Sequence, residues 1–143
     1  KTGVSIVELN AIEETPESTW FKIEVNEPHF YINRDGEGLF ALSHLVRRIV
    51  ESKTKPAEEY KTGPDILIDI NGFQKKKIDA VHAIAHMMAE RARYFKANVE
   101  MDPMSSFERR IVHEFLSKEL DVKTESVGEG FSRRLVIKYV GTV

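Results

Sequence analysis

The stretch from Ser105 to Tyr139 limits the architecture more than any other part of the chain. Ser105 followed three residues later by Glu108 is a capping box, in which each side chain satisfies an amide at a helix start. Phe107, Ile111, Val112, Phe115, Leu116 and Leu120 then recur at three- and four-residue steps. That period predicts an apolar arc on a helix running to about residue 120. Two strands are predicted near 122–127 and 131–139, joined by Gly128-Glu129-Gly130. Val99-Glu100-Met101 reads as a short extended piece ahead of the helix.

Arg109 and His113 stand four apart on this helix and so share a face, one turn above the other. They fall at the edge of the apolar arc, where a stem can pack while a cationic head reaches water. Arginine offers a planar fork for a phosphate and a flat face for a base. Histidine can stack on a base or donate to a phosphate oxygen. The competing reading is a structural pair, with the histidine satisfied by the following strand.

Arg133 and Arg134 are consecutive on the last predicted strand, so their side chains point to opposite faces and at most one can join Arg109 and His113. Lys123 on the preceding strand is a further basic candidate. Arg110 lies about 100° round the helix from Arg109. Glu114, four residues after Arg110, makes a surface ion pair its plainer reading.

The ordered series Glu-Arg-Arg-x-x-His (108–113), Val-x-Thr-x-Ser (122–126), Gly-Glu-Gly (128–130) and Arg-Arg-x-Val-Ile (133–137) resembles the R-three-H domain. This small module is named for its Arg-x-x-x-His pair and binds single-stranded nucleic acid. The resemblance implies that Arg109 and His113 contact a strand.

The first half reads β-β-α-loop-α-β-α. Strands are expected over 4–12 and 19–25, with Thr15-Pro16-Glu17-Ser18 as the turn between them. A helical turn over 28–32 precedes the loop Asn33-Arg34-Asp35-Gly36, in which Asn and Gly tolerate positive φ. A helix over 37–52 buries Leu39, Leu42, Leu45, Val46 and Ile49. A polar loop over 53–64 leads to a buried strand around Ile66–Ile70. Asn71-Gly72 turns the chain into a long helix over 73–96, with Ile78, Val81, Ala85, Met88, Ala92 and Phe95 as its apolar stripe.

This order resembles the type II KH domain, whose Gly-x-x-G loop holds the nucleic-acid backbone through amide groups brought close by glycine. Asn33, Arg34, Asp35 and Gly36 occupy the place of that loop. Asn33 replaces the first glycine, and Asp35 and Glu37 put two carboxylates beside a phosphate site. Type II domains also carry an N-terminal helix, expected here ahead of Lys1. Lysine rather than methionine at position 1 points to a fragment.

A KH domain followed directly by an R-three-H domain resembles the C-terminal region of the Jag (SpoIIIJ-associated) family of bacterial RNA-binding proteins. The implied fold is α+β: a three-stranded KH-like sheet with helices on one face over 1–97, then a small R-three-H domain over 98–143. The resemblance implies a cytoplasmic, non-enzymatic regulator linked to cell elongation and envelope growth. Its partners would be single-stranded RNA, or single-stranded DNA, together with a small KH-only protein or a second copy. The alternative is a protein-interaction module in which the KH half serves dimerisation.

Lys75-Lys76-Lys77 opens the long helix. Cations are unfavourable there, by up to about 1 kcal/mol each. A penalised cluster suits an RNA phosphate, and an ordinary solvated face is the even alternative. Asp79, His82, His86 and Glu90 line one side of the same helix, where solvated surface is a better reading than a metal site. No nucleophile motif, P-loop or dinucleotide fingerprint occurs, and no cofactor or metal is expected.

Bulk composition narrows the classes. Hydrophobic residues at 41% of 143 permit a packed core, in one ordinary domain or two small ones. No apolar run approaches a membrane span, so no membrane insertion is expected. Zero cysteines exclude disulfides and thiolate metal sites. The formal net charge of −2 conceals a split. Residues 1–35 hold 3 basic and 7 acidic side chains, whereas residues 71–97 hold 6 basic and 2 acidic. A polyanion responds to the local patch, because screening removes distant charge within roughly 8–10 Å.

Overall fold

A computed structural model of the chain describes residues 3–15, 18–54 and 65–141. Part of the turn expected at Thr15–Ser18, and the loop expected over 53–64 from residue 55 onward, lie outside these residues. The chain divides into two compact units, 1–75 and 76–143.

In the first unit, β1 (Ile6–Thr15) and β2 (Ser18–Val25) pair antiparallel, from Ile6 opposite Val25 to Thr15 opposite Ser18. β3 (Asp65–Ile70) joins β2 in parallel, giving the order β1-β2-β3. Parallel neighbours need a long crossover. That connection contains α1 (His29–Thr54), which is interrupted at Asn33–Gly36 by non-helical backbone. The core is built from Val25, Ile66, Ile68 and Ile70 of the sheet with Leu39 of α1, and Leu42, Val46 and Val50 pack against it. Leu45 and Ile49, expected on the buried face, are exposed. Two apolar lines overlap on this helix, and the sheet selects the one running Leu39, Leu42, Val46, Val50.

Two polar residues tie the end of β3 to its surroundings. Asp69 is 3% exposed and its Oδ1 accepts from the Gln74 amide at 2.9 Å. A carboxylate at a helix start is favourable, and it opposes the penalty of the lysines that follow. Asn71, at φ 50°, donates to the Val25 carbonyl and accepts from the Val25 amide.

The second unit contains most of α2 (Phe73–Phe95), then β4 (Val99–Glu100), α3 (Ser106–Leu116), β5 (Val122–Val127) and β6 (Arg134–Tyr139). Its sheet has the order β4-β6-β5, with both pairings antiparallel. Ala85, Ala89 and Ala92 of α2 are buried in one core with Met101, Val112, Leu116, Val122, Leu135 and Ile137. The division after Lys75 therefore differs from the boundary expected near 97–98. The long helix packs into the C-terminal core, and its three small alanines let α2 come close. Phe95, expected in the apolar stripe, is exposed.

Two element ends also differ from expectation. α3 stops at Leu116, with Ser117 as its cap, and Leu120 is 81% exposed rather than buried. The chain there turns toward β5, and Glu119 reaches Arg93 instead of extending the helix. β6 begins at Arg134 rather than 131, because Gly130–Ser132 forms a 3-10 turn. Gly128 permits the bend: its φ is +86°, and a Cβ there would stand 3.0 Å from the Ser132 carbonyl oxygen. Among the described residues, no helix is long and apolar enough to cross a membrane.

Candidate nucleic-acid interface

The capping box forms as the sequence predicts. The Ser105 hydroxyl accepts from the Glu108 amide, and Glu108 Oε2 accepts from the Ser105 amide at 2.8 Å. This fixes the start of α3 and so the direction of the next turn. Arg109 is half-buried, and its Nη1 donates to the Met104 carbonyl at 2.7 Å. Part of its fork therefore holds the segment that leads into the helix. The rest of the guanidinium makes no hydrogen bond among the described residues.

His113 is exposed, and its Nδ1 lies 2.5 Å from Thr124 Oγ1 on β5. The strand thus anchors the ring by one nitrogen, as the structural reading of the pair expects. Nε2 makes no hydrogen bond among the described residues. A ring held by one nitrogen is preoriented, with a face and the second nitrogen still able to meet a ligand.

The two consecutive arginines separate. Arg133 Nε donates to Ser126 Oγ at 2.9 Å. Ser126 and Thr124 share one face of β5, being two apart. Arg133 and His113 are therefore tied to neighbouring hydroxyls roughly 7 Å apart on one strand face. Arg134 pairs with Glu100 at 2.7 Å, and its partner in register, Val127, and Val136 two residues along its own strand belong to the other face. Lys123 is exposed on that second face with no ion pair among the described residues. Arg110 pairs with Glu114 at 3.2 Å, the surface ion pair that the spacing predicts.

The lysines diverge as well. Lys77 is half-buried and sits 4.0 Å from Glu108, so its charge supports the start of α3. Lys75 and Lys76 are exposed. His82, expected on a solvated face, stacks on Phe115 with ring centroids 4.5 Å apart, because α3 packs over that side of α2. Among the described residues, no group of three or more His, Asp or Glu could hold a metal ion.

In the first unit the loop geometry is distinctive. Asn33 is extended, while Arg34, Asp35 and Gly36 follow with φ of 51°, 59° and 87°. Positive φ thus falls on two side-chain-bearing residues rather than on Asn33, at about 1–2 kcal/mol each. Gly36 is buried, and its missing side chain admits Phe73: a Cβ would stand 2.6 Å from the ring. Gly38 is similarly required, since a Cβ would meet the Phe30 carbonyl at 2.7 Å. Arg34 and Glu37 are paired at 3.9 Å and mostly exposed.

Sequence reasoning missed the most connected polar cluster. Arg93 of α2 grips Asp121 through Nε and Nη2 at 2.6 and 2.8 Å, and also bonds Glu119 and Glu90. The bidentate bond to Arg93 holds the Asp121 carboxyl below its ordinary range, and the same bond raises the Arg93 guanidinium. No motif marks such a cluster, since its members lie 28 residues apart. The other omission is Phe131, which stands fully exposed in the 3-10 turn.

Residues 79–139 match the model of the R-three-H domain, the module of the sequence resemblance. The chain is 26% identical over 130 residues to the RNA-binding protein KhpB of Bacillus subtilis (strain 168), covering 90% of this chain and 60% of that protein. It is 25% identical over 124 residues to the RNA-binding protein KhpB of Clostridium symbiosum, covering 87% and 53%. It is 26% identical over 116 residues to the RNA-binding protein KhpB of Streptococcus pneumoniae serotype 2, covering 81% and 34%. The chain therefore spans three-fifths or less of the length of these relatives.

Proposed function

We propose that this chain binds single-stranded RNA without catalysing a reaction on it, as a KH-like unit joined to an R-three-H domain. The observation that carries the reading is the segment matched at residues 79–139, which holds His113 and Arg133 on one strand face with Arg109 a turn from His113. Hydroxyl anchors on both side chains reduce the ordering cost of gripping a strand. Phosphate contact and stacking carry little base information, so sequence preference is modest. Three relatives bearing the name of an RNA-binding protein support the choice of RNA.

The KH-like reading of the first unit is supported by its sheet order, antiparallel then parallel, and by the break in α1 at Asn33–Gly36. By the same Jag likeness we place the protein in the bacterial cytoplasm, acting after transcription in cell elongation or envelope growth. We assign it no cofactor and no membrane insertion. A small KH-only protein or a second copy is its protein partner. One observation favours a second reading for this half, that of an interaction module: the close approach at Gly36 is taken up by Phe73, while Asp35 lies within the loop and Glu37 follows it.

The test is fluorescence anisotropy of a labelled mixed-sequence single-stranded RNA at low and moderate salt. Arg109→Ala with His113→Ala is expected to weaken binding by about tenfold or more, with the thermal midpoint measured alongside because Arg109 also holds Met104. Binding unchanged by a folded double variant moves the site elsewhere. No binding by the wild type sinks the reading.

A further inference from the structure

We propose that Phe131 is a stacking platform for an unpaired base of the strand held by Arg133 and His113, an inference that rests on the single-strand reading above. Phe131 is 105% exposed, the extreme among the large hydrophobic side chains of the described residues. Its place in the fold does not come from packing, because the ring touches no core cluster. A loose loop could expose a phenylalanine by accident. Here the backbone on either side of residue 131 is braced. The Ser132 amide and hydroxyl both bond the Glu129 carbonyl, at 3.1 and 2.8 Å, and the Arg133 amide bonds the Gly130 carbonyl at 3.3 Å. Gly128 and Gly130, at φ +86° and +54°, permit the tight turn that pushes residue 131 outward.

The chemistry of the neighbours selects the occupant. Arg133 is two residues on, with Nε fixed to Ser126 and its two terminal nitrogens making no bond among the described residues. A flat apolar ring two residues along the chain from a fixed guanidinium suits a ligand that alternates planar bases with phosphates. An aromatic face accepts any base, and stacking on it is tolerant of sequence. The one carboxylate in the turn, Glu129, opposes phosphate and makes the ring contact the larger share of the gain there. A lipid surface is a poorer fit, because a single exposed ring is no amphipathic face.

The experiment uses the full chain and two labelled probes of equal length, a short mixed-sequence single-stranded RNA and its abasic counterpart with the same phosphates. Phe131→Ala is expected to weaken binding of the base-bearing strand about tenfold, and to leave the abasic strand and the salt dependence unchanged. Phe131→Trp is expected to restore affinity, with quenching of the added indole fluorescence on binding. The proposal is overturned by itself if Phe131→Ala binds the base-bearing strand like the wild type, or if both probes lose affinity equally. A wild type that binds neither probe at low salt overturns the single-strand reading and this inference together.

Discussion

The Arg109–His113 face and the Asn33–Gly36 loop are both candidate grips for a strand, and they are held in opposite ways. In the second unit the basic side chains are oriented by hydrogen bonds to Met104, Thr124 and Ser126, while the backbone beneath is ordinary helix and strand. In the first unit the side chains are mostly exposed and the backbone itself is unusual, with three consecutive positive φ values. One site is preorganised through side chains, the other through main chain. A substitution in the first should cost affinity before stability, and one in the second should cost stability before affinity.

The largest expected effect tests the main-chain half of that contrast. Gly36→Ala places a Cβ in left-handed backbone and against the Phe73 ring, 2.6 Å away. It should destabilise the first unit by about 2–3 kcal/mol, read as a lower urea midpoint for the transition that exposes Trp20. An unchanged midpoint would show that Phe73 swings aside and that this glycine is not what shapes the loop.

Next comes the polar clasp of the second unit. Arg93→Met should lower stability at neutral pH, because Glu90, Glu119 and Asp121 lose their shared cation. The sign with pH follows from Asp121. Its carboxyl is lowered in the folded state, so the clasp is fully present above the unfolded value near 3.9 and is lost as pH falls through the folded value. The deficit of Arg93→Met should therefore shrink as pH falls below about 4. A deficit independent of pH would mean that the arginine stem, rather than its charge, does the holding.

How much of this could be read from residues alone differs between the two halves for a physical reason. The capping box, the helix of Arg109 and His113, and the strand pair beyond it depend on local spacing, and local spacing is visible in a sequence. The buried choice of Leu42, Val46 and Val50 over Leu45 and Ile49 depends on which side of α1 meets the sheet, which no single-helix period decides. Chain order assigns the long helix to the first half, yet its buried residues Ala85, Ala89 and Ala92 belong to the second core. Alanines are weak hydrophobic signals and strong packing surfaces, so the pattern underweights them. The His113–Thr124 contact fits the Arg-x-x-x-His helix and Val-x-Thr-x-Ser strand that the sequence sets in order. The Arg93 clasp and the exposure of Phe131 leave no such trace.

A smaller effect probes orientation rather than charge. Thr124→Val keeps the strand and removes the hydroxyl that meets His113 Nδ1. Affinity for single-stranded RNA is expected to fall about threefold with a stability change within about 1 kcal/mol. If affinity falls as far as in His113→Ala, the ring works only in its anchored pose. If it does not fall, the histidine finds its ligand without the strand, and preorganisation through side chains is the wrong description of this site.

The smallest expected effect concerns the loop. Asp35→Asn with Glu37→Gln removes two carboxylates beside the backbone of positive φ, and it also frees Arg34 from its 3.9 Å pair with Glu37. If the loop meets phosphate, affinity should rise about threefold at low salt, and the gain should fade as salt screens charge over a Debye length of roughly 10 Å. The same double change tested with Arg109→Ala/His113→Ala separates the two halves. A gain that persists when the second unit is disabled places a strand on the loop itself, whereas a gain that vanishes with it reflects only the general field of the protein. No gain in either background leaves the first unit to protein contact and confines the grip to the helix and strand of the second.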